Sequence, residues 1–109
     1  MQKYDVIILP LAEWDITNNT DYIYFEKKAP ETALRLLDGF RKTIEALDFM
    51  PEQHELDEDT ELAALGIRKC YYKNYKIFFY VDNDNKKVFV LRVLHMLVDA
   101  KQLLLNMKF

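Results

Sequence analysis

The chain contains few of the residues that interrupt or cross-link small proteins: its 109 residues include only 2 glycines, 3 prolines and 1 cysteine. So little glycine and proline argues against linkers and low-complexity segments, and we expect a single domain over residues 1–109. The lone Cys70 excludes an internal disulfide and is typical of a reducing compartment. No apolar stretch approaches the roughly 20 residues that span a membrane, and the N-terminal MQKYDVIIL turns polar too early for a secretory signal. We therefore expect a cytoplasmic protein that is not attached to a membrane.

The sequence also lacks the motifs that hold common cofactors. It has no glycine-rich phosphate loop, no Ser/His/Asp constellation and no zincin motif. His54 lies among acidic residues, but no second histidine or cysteine follows it at ligand spacing, so we expect neither a metal nor a cofactor. The net charge is -3, and acidic residues crowd positions 52–61. After Gly66 the balance turns basic, and a local basic face on a net acidic protein can still contact a polyanion, although long-range electrostatic steering would be weak.

Three runs rich in Val, Ile, Phe and Tyr follow Gly66 and predict a β-meander. The runs are Ile67–Tyr72, Tyr75–Val81 and Val88–Leu94. Lys73-Asn74 separates the first two runs by the shortest spacing that allows a tight hairpin. Asp82-Asn83-Asp84-Asn85 separates the next two, and Asn and Asp favour turns because they tolerate left-handed φ and bond to nearby backbone.

A two-residue reversal at Lys73-Asn74 places Tyr72 opposite Tyr75, and this register determines which side chains share a face. We expect an open face on which cations alternate with aromatic residues: Lys69, Tyr71, Lys76, Phe78, Tyr80 and Arg92. We expect the other face to be covered, and we assign to it Ile77, Phe79, Val81, Phe89, Leu91 and Val93. Acidic residues bordering the open face would repel phosphate, so the 52–61 segment is expected to lie elsewhere or to guard that face against RNA.

The N-terminal half predicts the elements that cover the sheet. Tyr4–Leu9 is a candidate strand that Pro10 ends, and Leu11–Lys28 has helical spacing with a possible break at 18–20. A second helix begins at Pro30 and closes at Pro51, Glu52–Ala64 is predicted to be an exposed polar connection, and Asp99 is a candidate cap for a last short helix. The predicted fold class is α+β in the order β-α-α-β-β-β-α, with the two N-terminal helices packed on an antiparallel sheet.

Four stretches carry a family resemblance that runs from Tyr4 to Leu104: YDVIILPLAEWDI, EALDFMP, LGIRKCYYKNYKIFFYVD and VFVLRVLH. Together they resemble the RelE/ParE superfamily, the toxins of bacterial type II toxin–antitoxin operons. The resemblance implies a small α+β fold, growth inhibition, and a cognate antitoxin that binds and neutralises the toxin. Some members of that superfamily cut mRNA on the ribosome and others poison DNA gyrase, so either target is compatible with the resemblance.

The RNA-cutting branch has basic residues on the open sheet face, and Lys69 and Lys76 match two of them by position. RNA cleavage by the 2′-hydroxyl needs an acid, a base and positive charge near the phosphate. His95 is the candidate acid or base, because its unperturbed pKa is near 6.5. Lys69, Lys76 and Arg92 are then the candidate phosphate ligands.

Two other observations keep alternative functions open. The basic pair and tyrosine usual after the last strand of the RNA cutters are missing, because Leu94-His95-Met96 and Gln102 stand at those positions. Tyr71, Phe78 and Tyr80 predict a surface that binds a target or partner. The sequence therefore leans towards a ribosome-dependent mRNA endonuclease, with a DNA gyrase inhibitor or a catalytically degenerate protein-binding module as alternatives.

Overall fold

The computed structural model describes residues 3–107 and contains one four-stranded sheet. Its strands are β1 (Asp5–Ile8), β2 (Ile67–Tyr72), β3 (Tyr75–Asp82) and β4 (Lys87–His95). They lie in the order β1-β4-β3-β2. The meander of β2, β3 and β4 is antiparallel, while β1 pairs in parallel with β4. The predicted α+β class is confirmed, and the sheet is mixed because of this parallel edge strand.

The predicted hairpin register is confirmed. Tyr72 pairs with Tyr75, and Lys69 lies opposite Phe78 on the same side of the sheet as Lys76. Lys73 adopts the left-handed conformation, with a φ of 51°, that a two-residue reversal of this kind requires.

A β-bulge in β4 changes which of its side chains face the helices. Phe78 pairs with Arg92 whereas Phe79 pairs with Val90, so Leu91 is an extra residue on β4. An extra residue shifts the alternation of a strand by one position. The assignment of Phe89 and Leu91 to the face beneath the two N-terminal helices is therefore wrong. Val90 lies on that face, and Phe89 and Leu91 lie on the opposite one. The assignments of Ile77, Phe79, Val81 and Val93 are confirmed.

Two helices pack on one face of the sheet, as predicted. These are α1 (Pro10–Asp21) and α2 (Pro30–Glu45), each with proline in the first turn, where its missing N–H costs nothing. The first helix does not break at 18–20, and it continues into a π-helical turn at Tyr22–Glu26. Beneath these helices lies a buried cluster: Ala12, Ile16, Leu36, Phe40, Ile44, Leu47, Cys70, Ile77, Phe79, Val88, Val90 and Val93.

The second face of the sheet is also covered, which corrects two predictions. Part of the expected exposed connection Glu52–Ala64 forms α3 (Thr60–Ala64), where Asp59 Oδ1 accepts the N–H groups of Glu61 and Leu62. A short α4 (Lys101–Leu105) follows β4, and the N–H of Lys101 donates to Asp99 Oδ1. Under α3 and α4 lies a second buried cluster: Leu62, Ile67, Phe78, Leu91, Leu94 and Leu104. The face predicted to be open is therefore largely closed.

No helix within residues 3–107 has both the length and the apolarity that crossing a bilayer would need.

Gly39 of α2 lies against the ring of Tyr72, and a Cβ atom at position 39 would come within 1.9 Å of Tyr72 Cζ. That ring packs edge-on against Phe40, with the ring centroids 5.6 Å apart. We expect Gly39→Ala to lower the free energy of unfolding by about 1 kcal/mol, although alanine normally gains about 1 kcal/mol over glycine in a helix. In a Tyr72→Ala background the same change is expected to stabilise. Chemical denaturation of the four proteins tests this, and stabilisation in the wild-type background would contradict the close contact.

Candidate functional site

Lys69 and Lys76 project from the same face of the sheet, and both ammonium groups contact one carboxylate. Lys69 Nζ donates a hydrogen bond to Glu58 Oε2, and Lys76 Nζ lies 3.9 Å from Glu58 Oε1. The Lys69 side chain is only 6% exposed, whereas the Glu58 side chain is 74% exposed. A cation that is nearly excluded from water is therefore neutralised by an acid at the surface.

The contact shifts the pKa values of both partners. Burial lowers the pKa of the Lys69 ammonium, but the interactions with Glu58 and Tyr71 outweigh it and leave that pKa above its ordinary value. The hydrogen bond from Lys69 is the main reason that the pKa of Glu58 lies below its ordinary value. Both shifts favour the charged forms, so the pair is ionised at neutral pH.

The acidic segment lies along the free edge of β2, which explains the position of Glu58. The N–H of Asp57 donates to the carbonyl of Ile67 at 2.9 Å, and the N–H of Lys69 donates to the carbonyl of Glu55 at 3.3 Å. Just beyond Glu58, the side chain of Asp59 caps α3. The main chain is held on both sides of Glu58, so its side chain is presented to the two lysines. The acidic segment was expected either to lie away from the face that carries Lys69 and Lys76 or to guard it. In the structure the segment lies beside that face.

Arg92 is also paired with an acid. Its Nε and Nη2 donate to Asp15 Oδ2 and Oδ1 at 2.7 and 2.8 Å, and the N–H of Val93 donates to Asp15 Oδ2 at 3.0 Å. Both side chains are buried, and the hydrogen bond to Asp15 is the main reason that the pKa of Arg92 is raised. Strand β1, which pairs with β4, ends at Ile8. Beyond that point the carboxylate of Asp15 accepts the backbone N–H of Val93 at the edge of β4.

Asp15 was not among the predicted site residues, although the sequence contains a signal for it. Asp15 falls on the same side of α1 as the buried Ala12 and Ile16. A carboxylate in such an apolar stripe needs a charged or hydrogen-bonded partner because burying it alone is costly.

His95 does not join the lysines. It pairs across the sheet with Tyr75, with ring centroids 5.4 Å apart, and Tyr75 packs on Phe40 of α2. Lys76 pairs with Leu94, whose side chain belongs to the cluster beneath α3 and α4. Lys76 and His95 therefore lie on opposite faces of the sheet. His95 Nδ1 accepts the N–H of Leu97 at 3.1 Å. The structure therefore brings Lys69 and Lys76 together but not His95, and Arg92 is occupied by Asp15.

The three aromatic residues predicted to bind a partner differ in exposure. Phe78 is 2% exposed and lies in the cluster beneath α3 and α4, while Tyr71 is 49% exposed, with its ring centroid 5.9 Å from Lys69 Nζ. Tyr80 is half-buried and lines a cleft of about 830 Å³ together with Leu9, Leu65, Asp82, Phe89, Leu104, Leu105 and Met107. Only Tyr71 therefore presents a large part of its surface to solvent.

The outer side of α1 and the following π-helical turn carry an exposed apolar stripe. This stripe was not predicted from the sequence. Its members are Leu11, Trp14, Tyr22 and Phe25, with exposed fractions of 46%, 60%, 53% and 65%. Their spacing puts them on the side of the helix opposite Ala12 and Ile16, which was the available signal. Exposed apolar patches of this kind mark contacts with macromolecules.

The remaining candidate groups are structural. Burial raises the pKa of the Cys70 thiol to about 12, so it is not a nucleophile at neutral pH. The His54 ring packs edge-on against Phe79 and its carbonyl accepts a hydrogen bond from Arg68. Burial and the Arg68 charge lower the pKa of His54. Within residues 3–107, no three His, Cys, Asp or Glu side chains are grouped so that they could hold a metal ion.

Comparison with known families identifies the chain. The sequence profile described as "ParE toxin of type II toxin-antitoxin system, parDE" matches residues 6–99. The chain belongs to this ParE toxin family. The resemblance to the RelE/ParE superfamily is thereby confirmed.

Solved structures share the fold of this ParE-family chain, and two of them are described here. One is a chain of the chromosomal ParDE TA system from P. aeruginosa, with a TM-score of 0.68 and 18% identity over 85% of this chain and 96% of that one. The other belongs to the RelBE2 toxin–antitoxin complex from Mycobacterium tuberculosis, with a TM-score of 0.63 and 23% identity over 87% of this chain and 93% of that one. No curated protein matches the sequence.

Proposed function

We propose that this ParE-family protein is a growth-inhibiting toxin that binds DNA gyrase in the cytoplasm and that a cognate antitoxin neutralises. Family membership supports the toxin role. The two solved structures compared above come from toxin–antitoxin systems, which supports an antitoxin as the partner. The choice of gyrase over mRNA depends on the charges of the site.

The observation that carries this choice is that acids of the same chain already bind the three candidate cations. Glu58 contacts Lys69 and Lys76, and Asp15 binds Arg92 through two hydrogen bonds. A phosphate in the transition state of RNA cleavage is stabilised by positive charge that is preorganised and available. Here the two carboxylates offset two of the three positive charges, and His95, the candidate acid or base, lies on the other face. These features favour a toxin that acts by binding over one that cuts RNA.

The apolar stripe Leu11–Trp14–Tyr22–Phe25 gives independent support for action through a protein contact. Aromatic residues dominate the energetics of protein interfaces because they bury large areas with little loss of rotamer entropy. A nucleic-acid site would need cations around such residues. Along the stripe the nearby charges are mixed, with Glu13, Asp21 and Glu26 against Lys27 and Lys28.

One observation favours mRNA cleavage as a second candidate function. Lys69 and Lys76 lie close enough together to contact a single carboxylate, and a phosphate could bridge the same pair once Glu58 moved away. In that case Lys69 and Lys76 would be the phosphate ligands, while Arg92 stays bound to Asp15.

Expression of the chain alone and together with the adjacent small gene tests the proposal in cells. We expect growth arrest on solo expression, rescue by the adjacent gene, induction of the DNA-damage response and intact mRNA by primer extension. Lys76→Ala is the matched control: it should retain full toxicity under the proposed function and lose at least roughly tenfold in cleavage under the alternative. Codon-positioned cuts that disappear in Lys76→Ala would refute the proposal, and normal growth on strong solo expression would refute the toxin role itself.

A further inference from the structure

The apolar stripe of α1 lies on a helical segment that is long enough to pair with a second helix. Helix α1 and the π-helical turn together run from Pro10 to Glu26, which corresponds to roughly 25 Å. The four side chains of the stripe are each 46–65% exposed, so no other part of the described chain covers them fully. An apolar side of a helix is normally buried against another element, so this one has room for a partner.

The spacing of the stripe is the same in both directions along the chain. Asn18, which is exposed, lies at its centre, and Trp14 and Tyr22 are each four residues away from it. Leu11 and Phe25 are each seven residues away from it. A contact between two identical chains about a two-fold axis requires this symmetry, because each residue meets the one that lies equally far on the other side of the axis. In an antiparallel pair centred on Asn18, Leu11 therefore meets Phe25 of the second copy, and Trp14 meets Tyr22.

The charges beside the stripe are complementary in the same arrangement. Lys27 Nζ lies 5.6 Å from the centroid of the Tyr22 ring, and Glu13 is next to Trp14 in the sequence. Because Tyr22 meets Trp14 across the pair, Lys27 of each copy comes close to Glu13 of the other. Both side chains are exposed, and neither has an ion-pair partner within residues 3–107. A parallel pair would instead bring like charges together at both positions.

We propose that this side of α1 is an interface between two copies of the chain, which pair antiparallel about an axis at Asn18. An aromatic side chain buries roughly 150–250 Å² in full, so the exposed parts of the stripe offer about 400 Å² per copy. A standard interface takes about 800 Å² from each partner, of which somewhat more than half is apolar. The stripe thus supplies the apolar core of a small interface, and we expect a reversible dimer of micromolar affinity. This inference goes beyond gyrase binding, and a target that binds the stripe would have to displace the second copy.

Sedimentation equilibrium of the purified chain, without antitoxin or gyrase, tests the dimer. We expect the mass of wild type to rise from 13.1 kDa towards twice that value as its concentration is raised through the micromolar range. Glu13→Lys and Lys27→Glu should each weaken association at least roughly tenfold, because like charges then meet twice in every dimer. An equal mixture of these two variants should associate like wild type, since each supplies the charges that the other lacks.

Asp84→Lys is the matched control, because it makes the same change of charge in the exposed turn between β3 and β4, and it should associate like wild type. Asn18→Cys tests the position of the axis: two copies should form a disulfide, whereas copies of Glu26→Cys would be roughly 20 Å apart and should not. The native Cys70 is buried and does not interfere.

A wild-type mass that stays at 13.1 kDa throughout, as expected if the stripe serves only the antitoxin or gyrase, would overturn the proposal. Failure of the mixed charge variants to associate would overturn it too. Neither result bears on gyrase inhibition, so the two proposals can fail separately.

Discussion

Asp15→Asn is expected to lower the free energy of unfolding by about 3–5 kcal/mol. The substitution leaves the buried guanidinium of Arg92 without a counter-charge, and it weakens the bond that holds the Val93 N–H. An uncompensated buried charge costs far more than the intact pair contributes. Urea denaturation of wild type and variant measures the difference.

Two comparisons separate this effect from a general loss of acidic charge. Asp38→Ala removes an exposed acid that pairs with Lys42 on the surface of α2, and we expect it to cost less than about 0.5 kcal/mol. Asp15→Leu/Arg92→Met removes both charges and should recover much of the lost stability, because apolar replacement of a buried pair is often tolerated. Equal stability of Asp15→Asn and Asp38→Ala would contradict a buried ion pair.

Phe40→Ala is expected to lower the free energy of unfolding by about 3–5 kcal/mol. Phe40 is fully buried in α2, and the rings of Tyr72 and Tyr75 pack edge-on against it, with centroid separations of 5.6 and 5.0 Å. Truncation therefore opens a cavity at the point where the hairpin of β2 and β3 meets the helices. Thermal and chemical denaturation should report the same loss.

Phe25→Ala makes the same chemical change on the exposed stripe, where Phe25 is 65% exposed. We expect a change in stability within about 0.5 kcal/mol. A loss comparable to that of Phe40→Ala would mean that the stripe is part of the folded core instead of a free surface.

The register of the hairpin could be predicted from the sequence because a two-residue turn leaves one way to pair its strands. That was enough to place Lys69 and Lys76 on one face. The bulge at Leu91 could not be predicted in this way. Residues 88–91 of β4 are apolar at every position, so alternation carries no information about which of them face the helices.

The misjudged parts of the site have a common physical cause. Charge density in the 52–61 segment predicts exposure, and Glu58 is exposed, but long-range pairing with Lys69 depends on how the segment runs along the edge of β2. Local pattern does not encode that path. Asp15 was recoverable, since an acid among buried helix positions calls for a partner, but its partner lies 77 residues away along the chain.

Supercoiling of relaxed plasmid by purified DNA gyrase tests the central claim most directly. With wild-type protein we expect inhibition that the cognate antitoxin reverses and that Lys76→Ala leaves unchanged. Full supercoiling at saturating toxin, together with cleavage of mRNA on purified ribosomes, would contradict an account in which Glu58 and Asp15 engage the three cations that RNA chemistry would use.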